Sequence, residues 1–273
     1  MLDRKLSLVL PAHNEAENIE AVVRRALDVL PQVVSDFEVI VVDDGSRDGT
    51  AEIVDGLVAE DARVRVVHHE VNRGYGAALT SGFEAATGDA VMFMDSDRQF
   101  DIADIRALLP YVPHYDVVAG YRIKRRDPFY RIVFARIFGL SVWVLFGLRM
   151  RDIDCAFKIF RGDLLQGIQL TTPGALINTE LLIRLRQRGA TIAQVGVHHY
   201  PRPAGESSGG SPKVVFRAMG ETIRLWLRLR REQRGDSGEL PDGHDTPSGM
   251  LGLAVAGVAA LGALVCVWRR KRG

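Results

Sequence analysis

The chain has 273 residues, enough for one substantial domain and an appendage. A formal net charge of +1 removes any global electrostatic case for nucleic acid as a partner. With only Cys155 and Cys266, neither a disulfide framework nor a cysteine metal site is expected, which suits a reducing compartment.

Residues 6–10 form a short apolar run that predicts a strand; it is too short for a signal-peptide core and runs straight into Pro11. Residues 15–30 carry the spacing of an amphipathic helix. Further strands are expected at 37–42 and 63–68, with a helix at about 48–60 between them. Residues 73–86 read as a helix leading into 90–94, whose five consecutive apolar residues suit a strand buried on both faces. A helix near 102–109 and a strand at 116–119 follow. This alternation predicts an α/β domain with a largely parallel sheet and helices on both faces. In such sheets ligands bind beyond the carboxyl ends of the strands, and there the unusual residues cluster.

Pro11-Ala12-His13-Asn14-Glu15 follows the first strand, with Asn14 placed to cap a helix and Glu15 in its first turn. Asp43-Asp44-Gly45-Ser46 follows the second, an acidic pair on a tight turn that suits a base or ribose, or an ordinary polar turn. Asn72-Arg73-Gly74-Tyr75-Gly76 gives a glycine-rich approach to a helix N-terminus, which favours an anion. The small residues Ala77, Ala78, Gly82, Ala85 and Ala86 equally suit tight helix-on-sheet packing. Asp95-Ser96-Asp97 then ends the buried strand. If the chain stays extended, both carboxylates project to one side and repel unless a cation lies between them. Hard oxygen ligands beside a phosphate site favour Mg²⁺ or Mn²⁺; a solvated strand end is the plain alternative.

The far end of the chain differs. Residues 233–249, rich in Gly, Asp, Pro and Ser, read as a flexible linker. Residues 250–268 hold no charge and, at ~1.5 Å each, would make a helix of roughly 28 Å, a single membrane span. Trp268 and the basic tail 269–273 supply an interfacial anchor and a stop. Residues 129–148 and 213–231 mix arginines with a heavy apolar load, as membrane-surface helices do.

The four co-ordered motifs, Pro-Ala-His-Asn-Glu, Val-Asp-Asp-Gly-Ser-Arg-Asp-Gly-Thr, Asn-Arg-Gly-Tyr-Gly and Asp-Ser-Asp-Arg-Gln, resemble those of the family 2 glycosyltransferases with the GT-A fold. The resemblance covers roughly residues 5–232 and implies a catalytic domain over 1–232, a Rossmann-like nucleotide-sugar-binding fold. It implies that Pro11, His13, Glu15, Val42, Asp44, Gly74 and Asp95 form the nucleotide-sugar site, with His13 where an aromatic Tyr is common. It implies that Asp95, Asp97 and Gln99 hold the metal. Gly120-Tyr121-Arg122, Arg131, the segment Asp152 to Lys158, and His199-Tyr200-Pro201-Arg202 look like the dolichol- or polyprenol-phosphate sugar synthases. In that subgroup Arg122, Arg131 and Arg202 would bind the lipid phosphate; a serine of the pattern falls here at Ala135.

The expected reaction is metal-dependent inverting transfer of a hexose, mannose or glucose, from a GDP- or UDP-sugar to a polyprenyl phosphate at the bilayer. A phosphomonoester is largely dianionic at pH 7, so it needs charge neutralisation by arginine rather than a strong base. Asp154 then positions; in the alternative, transfer to a sugar or small-molecule hydroxyl, it is the base. A non-catalytic nucleotide-binding membrane protein is the third reading, disfavoured by the presence of Asp95, Asp97 and Gln99 together. The basic tail would place the C-terminus in the cytoplasm by the positive-inside rule, whereas use of a nucleotide sugar expects the catalytic domain there. Oligomeric state is not legible.

Overall fold

The computed structural model describes residues 2–123, 129–172, 174, 176–203 and 212–233. Its first compact unit, Met1–Trp226, contains a seven-stranded sheet. The strands are β1 (Leu2–Ala12), β2 (Val34–Asp43), β3 (Val64–His68), β4 (Ala90–Met94), β5 (Val117–Arg122), β6 (Phe157–Arg161) and β7 (Ile192–Val197). The helices are α1 (Ile19–Val29), α2 (Thr50–Glu60), α3 (Tyr75–Ala85), the single turn α4 (Ile105–Leu108), α5 (Phe129–Phe146), the single turn α6 (Gly162–Leu165), α7 (Ile177–Gln187) and α8 (Pro212–Gln233). Of the second unit, Leu227–Gly273, the described residues are 227–233, which end α8. The expected linker, span and basic tail lie outside the described residues. No helix among the described residues is long and apolar enough to cross a membrane.

The sheet order is β3-β2-β1-β4-β6-β5-β7. β1 pairs in parallel with β2 on one side and β4 on the other, so the order reverses there and opens a crevice beyond their carboxyl ends. The parallel sheet expected from the alternation holds for β1–β4 and for β5 with β7, but β6 runs antiparallel to both β4 and β5. Every residue of β4 is buried, as the unbroken apolar run requires. Phe83 of α3 joins Phe93 of β4 and Phe160 of β6, with centroids 6.0–6.1 Å apart, in the core under α3. Gly82 lets that helix approach: a Cβ there would collide with the Val9 side chain.

Several boundaries move. Residues 15–18 form turns and α1 starts at Ile19, so Asn14 does not cap it. Asn14 instead sits at φ 55 and accepts a hydrogen bond from the Arg47 N–H, tying the first loop to the second. The helix expected near 102–109 is one α turn flanked by 3₁₀ turns.

Candidate active site

Three loops converge on the crevice. The β1 loop supplies Pro11, Ala12, His13 and Glu15; the β2 loop supplies Asp44; the β4 loop supplies Asp95, Ser96 and Asp97. Asn72, Gly74 and Tyr75 close one side and Arg202 another, around a cleft of about 460 Å³. The loops are laced by short bonds. Ser96 Oγ donates to the Pro11 carbonyl at 2.8 Å, and His13 Nδ1 lies 2.9 Å from the Asp44 carbonyl oxygen.

Asp44 is a builder of this cleft as well as part of its lining. Its Oδ1 accepts from the Arg73 N–H at 2.9 Å and lies 2.6 Å from His69 Nδ1; its Oδ2 accepts from the Gly74 N–H at 2.8 Å. Gly74, at φ 93, can adopt a backbone that an L side chain would strain, and this turns the loop onto Asp44. Asp43 is likewise committed, accepting from the Ser46 N–H with His68 beside it. Val42 does not belong to the cleft: it is fully buried in β2, beneath Gly82 of α3, because the alternation of the strand turns it into the core.

Asp95 and Asp97 lie just beyond β4, where the chain bends instead of staying extended. Burial, then the charge of Asp97, push the Asp95 carboxyl up to about 7, against the hydrogen bond that Tyr75 Oη donates to it at 2.9 Å. The Tyr75 phenol is pushed well above its ordinary value by burial and by Asp95. The Gln99 N–H donates to Asp97 Oδ1 at 3.0 Å, while its side-chain amide is turned away and donates to the Tyr200 carbonyl at 3.3 Å, and its own carbonyl accepts from the Tyr200 N–H at 2.9 Å. Among the described residues no group of three His, Cys, Asp or Glu gathers as a metal-ligand set.

Of the three arginines assigned together by resemblance, the two with described side chains, Arg122 and Arg202, each pair with a carboxylate. Arg202 belongs to the acidic cleft, 2.6 Å from Glu15 Oε1 and 3.8 Å from Asp97 Oδ2. Arg122 is locked in a two-pronged pair with Asp152, Nε at 2.6 Å and Nη2 at 2.8 Å. Burial would lower its pKa, but the Asp152 bonds outweigh that and raise it. The side chain of Arg131 lies outside the described residues.

Residue reasoning missed a second cavity, of about 640 Å³, between α5 and the segment 149–154. Arg136, Arg149 and Arg151 line it with Phe138, Leu140 and Trp143, and Asp152 and Asp154 close its inner end. Leu140, Trp143 and Val144 expose 45, 49 and 70% of their surface, an uncovered apolar stripe on α5. The mixture of arginine with aromatic residues in 129–148 was the available signal. Asp154 is exposed in this second cavity, whereas Asp95 lies in the first, and both raise the pKa of the Tyr75 phenol, which burial raises most.

An α/β sheet reversing between β1 and β4, with a paired-aspartate cleft at that reversal, defines the GT-A class of fold. The chain belongs to the glycosyl transferase family 2, whose pattern matches residues 7–168. Among its relatives, glycosyltransferase AglD of Haloferax volcanii is 32% identical over 236 residues, covering 82% of this chain and 37% of the relative. The undecaprenyl-phosphate 4-deoxy-4-formamido-L-arabinose transferase of Pseudomonas fluorescens is 32% identical over 213 residues, 77% of this chain and 61% of the relative. The chain thus spans less than two thirds of either. In fold it is similar to glucosyl-3-phosphoglycerate synthase from Mycobacterium tuberculosis with Mn²⁺ and UDP-glucose, at TM-score 0.60 and 23% identity over 88% of this chain and 84% of that one. Mannosyl-3-phosphoglycerate synthase from Rubrobacter xylanophilus is similar at TM-score 0.63 and 18% identity, over 90% and 79%.

Proposed function

We propose that the protein transfers a hexose from a nucleotide sugar to the phosphate of a polyprenyl phosphate at a membrane surface. The observation that carries this reading is the cavity beside Asp154, which offers three arginines and an aromatic wall on a helix whose apolar stripe faces outward. An amphiphile with an anionic head complements that lining, and guanidinium suits phosphate oxygens. A relative named for undecaprenyl phosphate supports the same acceptor class.

The donor is assigned to the Asp44–Asp97 cleft, and we favour a uridine nucleotide over a guanosine one. A carboxylate offers about four acceptor positions, and Asp44 has three engaged. The one left suits uracil, with its single ring N–H, better than guanine, whose edge presents two neighbouring donors.

Asp95 and Asp97 fit Mg²⁺ or Mn²⁺. Two hard carboxylates beyond a strand end, one raised towards neutrality by burial and by the charge of the other, form a donor set that a cation shared with a diphosphate would relieve. Bound there, such an ion would supply charge stabilisation for the leaving nucleoside diphosphate. In this reading Asp95 and Asp97 hold the donor's diphosphate end, and Tyr75 fixes Asp95. Arg202 neutralises charge on the same side. Arg136, Arg149 and Arg151 draw the acceptor phosphate into reach of the anomeric carbon. The acceptor arrives already ionised, so Asp154 and the Arg122–Asp152 pair orient it and no strong base is required. Incubation with labelled UDP-hexoses and a short polyprenyl phosphate tests this; a labelled lipid that forms only with a divalent cation is the expected product.

A further inference from the structure

The turn between α5 and β6 is gripped from below by a buried cation. Lys158 of β6 has no exposed surface and stands in register with Phe93 of β4 and Ala119 of β5. Its Nζ donates to the carbonyl of Ile153 at 2.9 Å and to that of Cys155, so the two bonds straddle Asp154. The same ammonium lies 5.3 Å from the centroid of the Phe93 ring. The charges facing it are Asp95 from the end of β4 and Asp152 and Asp154 from the turn, with the Cys155 thiol beside them.

We propose that Lys158 is a positioning residue for the transfer, clamping the Ile153–Cys155 turn so that Asp154 and the Arg122–Asp152 pair keep one arrangement at the acceptor cavity; this rests on the acceptor reading above. Taking an ammonium out of water is costly, and the neighbours of Lys158 in β6 are Phe157, Ile159 and Phe160, so the sheet itself calls for an apolar side chain. What an apolar side chain cannot do is hold two carbonyls of a non-repeating turn, which precedes the strand ladder and so lacks its backbone donors. Nor can it set a positive charge beneath the acceptor-side Asp152 and Asp154. Burial lowers the Lys158 pKa, and those carboxylates oppose the shift.

The variants Lys158→Met and Lys158→Gln test the clamp, the second retaining a neutral donor if the first does not fold. Cys155 is fully buried, and burial pushes its thiol up to about 12, so it should resist alkylation in the native chain. Loss of two bonds from a charged donor should raise its labelling rate at least about ten-fold, read peptide by peptide to separate it from Cys266, while the urea midpoint shows the domain still folded. In the transfer assay the acceptor KM should rise about ten-fold and kcat fall, with UDP affinity unchanged within about two-fold. Unaltered Cys155 labelling overturns the clamp. So does a fall in kcat alone with both KM values intact, the signature of a smaller folded fraction. If the native chain makes no lipid product, the functional reading fails, and the labelling arm still decides the clamp.

Discussion

Asp44 illustrates how a residue can be found in sequence and its task misjudged. An acidic pair after an apolar strand was legible, but not that three of the acceptor positions of Asp44 would be taken by the loop at 73–74 and by His69. Those partners lie 25–30 residues away along the chain and meet only in the fold. The consequence is testable: UDP should raise the melting temperature, and GDP at equal concentration should do so much less. Equal shifts would remove the uridine assignment. Asp97→Ala should abolish transfer while leaving the unfolding free energy in urea within about 1 kcal/mol of the parent, since relief of its repulsion with Asp95 offsets the loss of its bond from the Gln99 N–H and its contact with Arg202. Glu38 gives the opposite case. It is buried in β2 and accepts from Ser7, Thr87 and Arg65 at 2.6–2.8 Å; burial works to raise its pKa, and these bonds outweigh that to bring it down to about 2. A carboxylate with a depressed folded pKa stabilises above its unfolded value, near 4.5, and loses that contribution as pH falls through 2. Glu38→Gln should therefore cost about 2–3 kcal/mol at pH 7 in urea unfolding, with the gap narrowing below pH 4.5.

At the scale of elements, strands whose apolar run stops at a polar turn were legible, and β4 agrees residue for residue. β6 was hidden because Lys158 interrupts its apolar pattern, and β7, Ile-Ala-Gln-Val-Gly-Val, because an edge strand half open to solvent carries a weak pattern. The antiparallel turn of β6 was therefore also missed. The carboxylate partners of Arg122 and Arg202 were not legible for a similar reason: Asp152 and Glu15 lie 30 and 187 residues distant. The small residues of α3 are explained by packing. Gly82→Ala should cost about 1–3 kcal/mol through overpacking against the stiff Val9 side chain, measured by denaturant unfolding. On α5 the exposed stripe carries the membrane reading. Replacing Leu140, Trp143 and Val144 together by Ser should weaken sedimentation with anionic vesicles of a fragment lacking 234–273, without lowering UDP affinity. Unchanged sedimentation would place membrane attachment elsewhere.

For the whole molecule, two unlike recesses stand out, one lined by Tyr75 and the paired aspartates and the other by α5 and the segment 149–154. One is acidic, smaller and built at the reversal of the sheet; the other is larger, lined by arginines and apolar residues along a helix. A polar activated donor and an amphiphilic anionic acceptor match that division better than two water-soluble substrates would. The most direct test is transfer itself: purified full-length protein with labelled UDP-glucose and other UDP-hexoses, Mn²⁺ or Mg²⁺, and a polyprenyl phosphate, followed by mass analysis of the lipid. The account predicts a glycosyl-phosphoryl lipid whose yield falls at least about 100-fold when Arg136 and Arg149 are both replaced by Ala, while UDP affinity is retained. Transfer to a soluble hydroxyl acceptor with none to the lipid phosphate would contradict it.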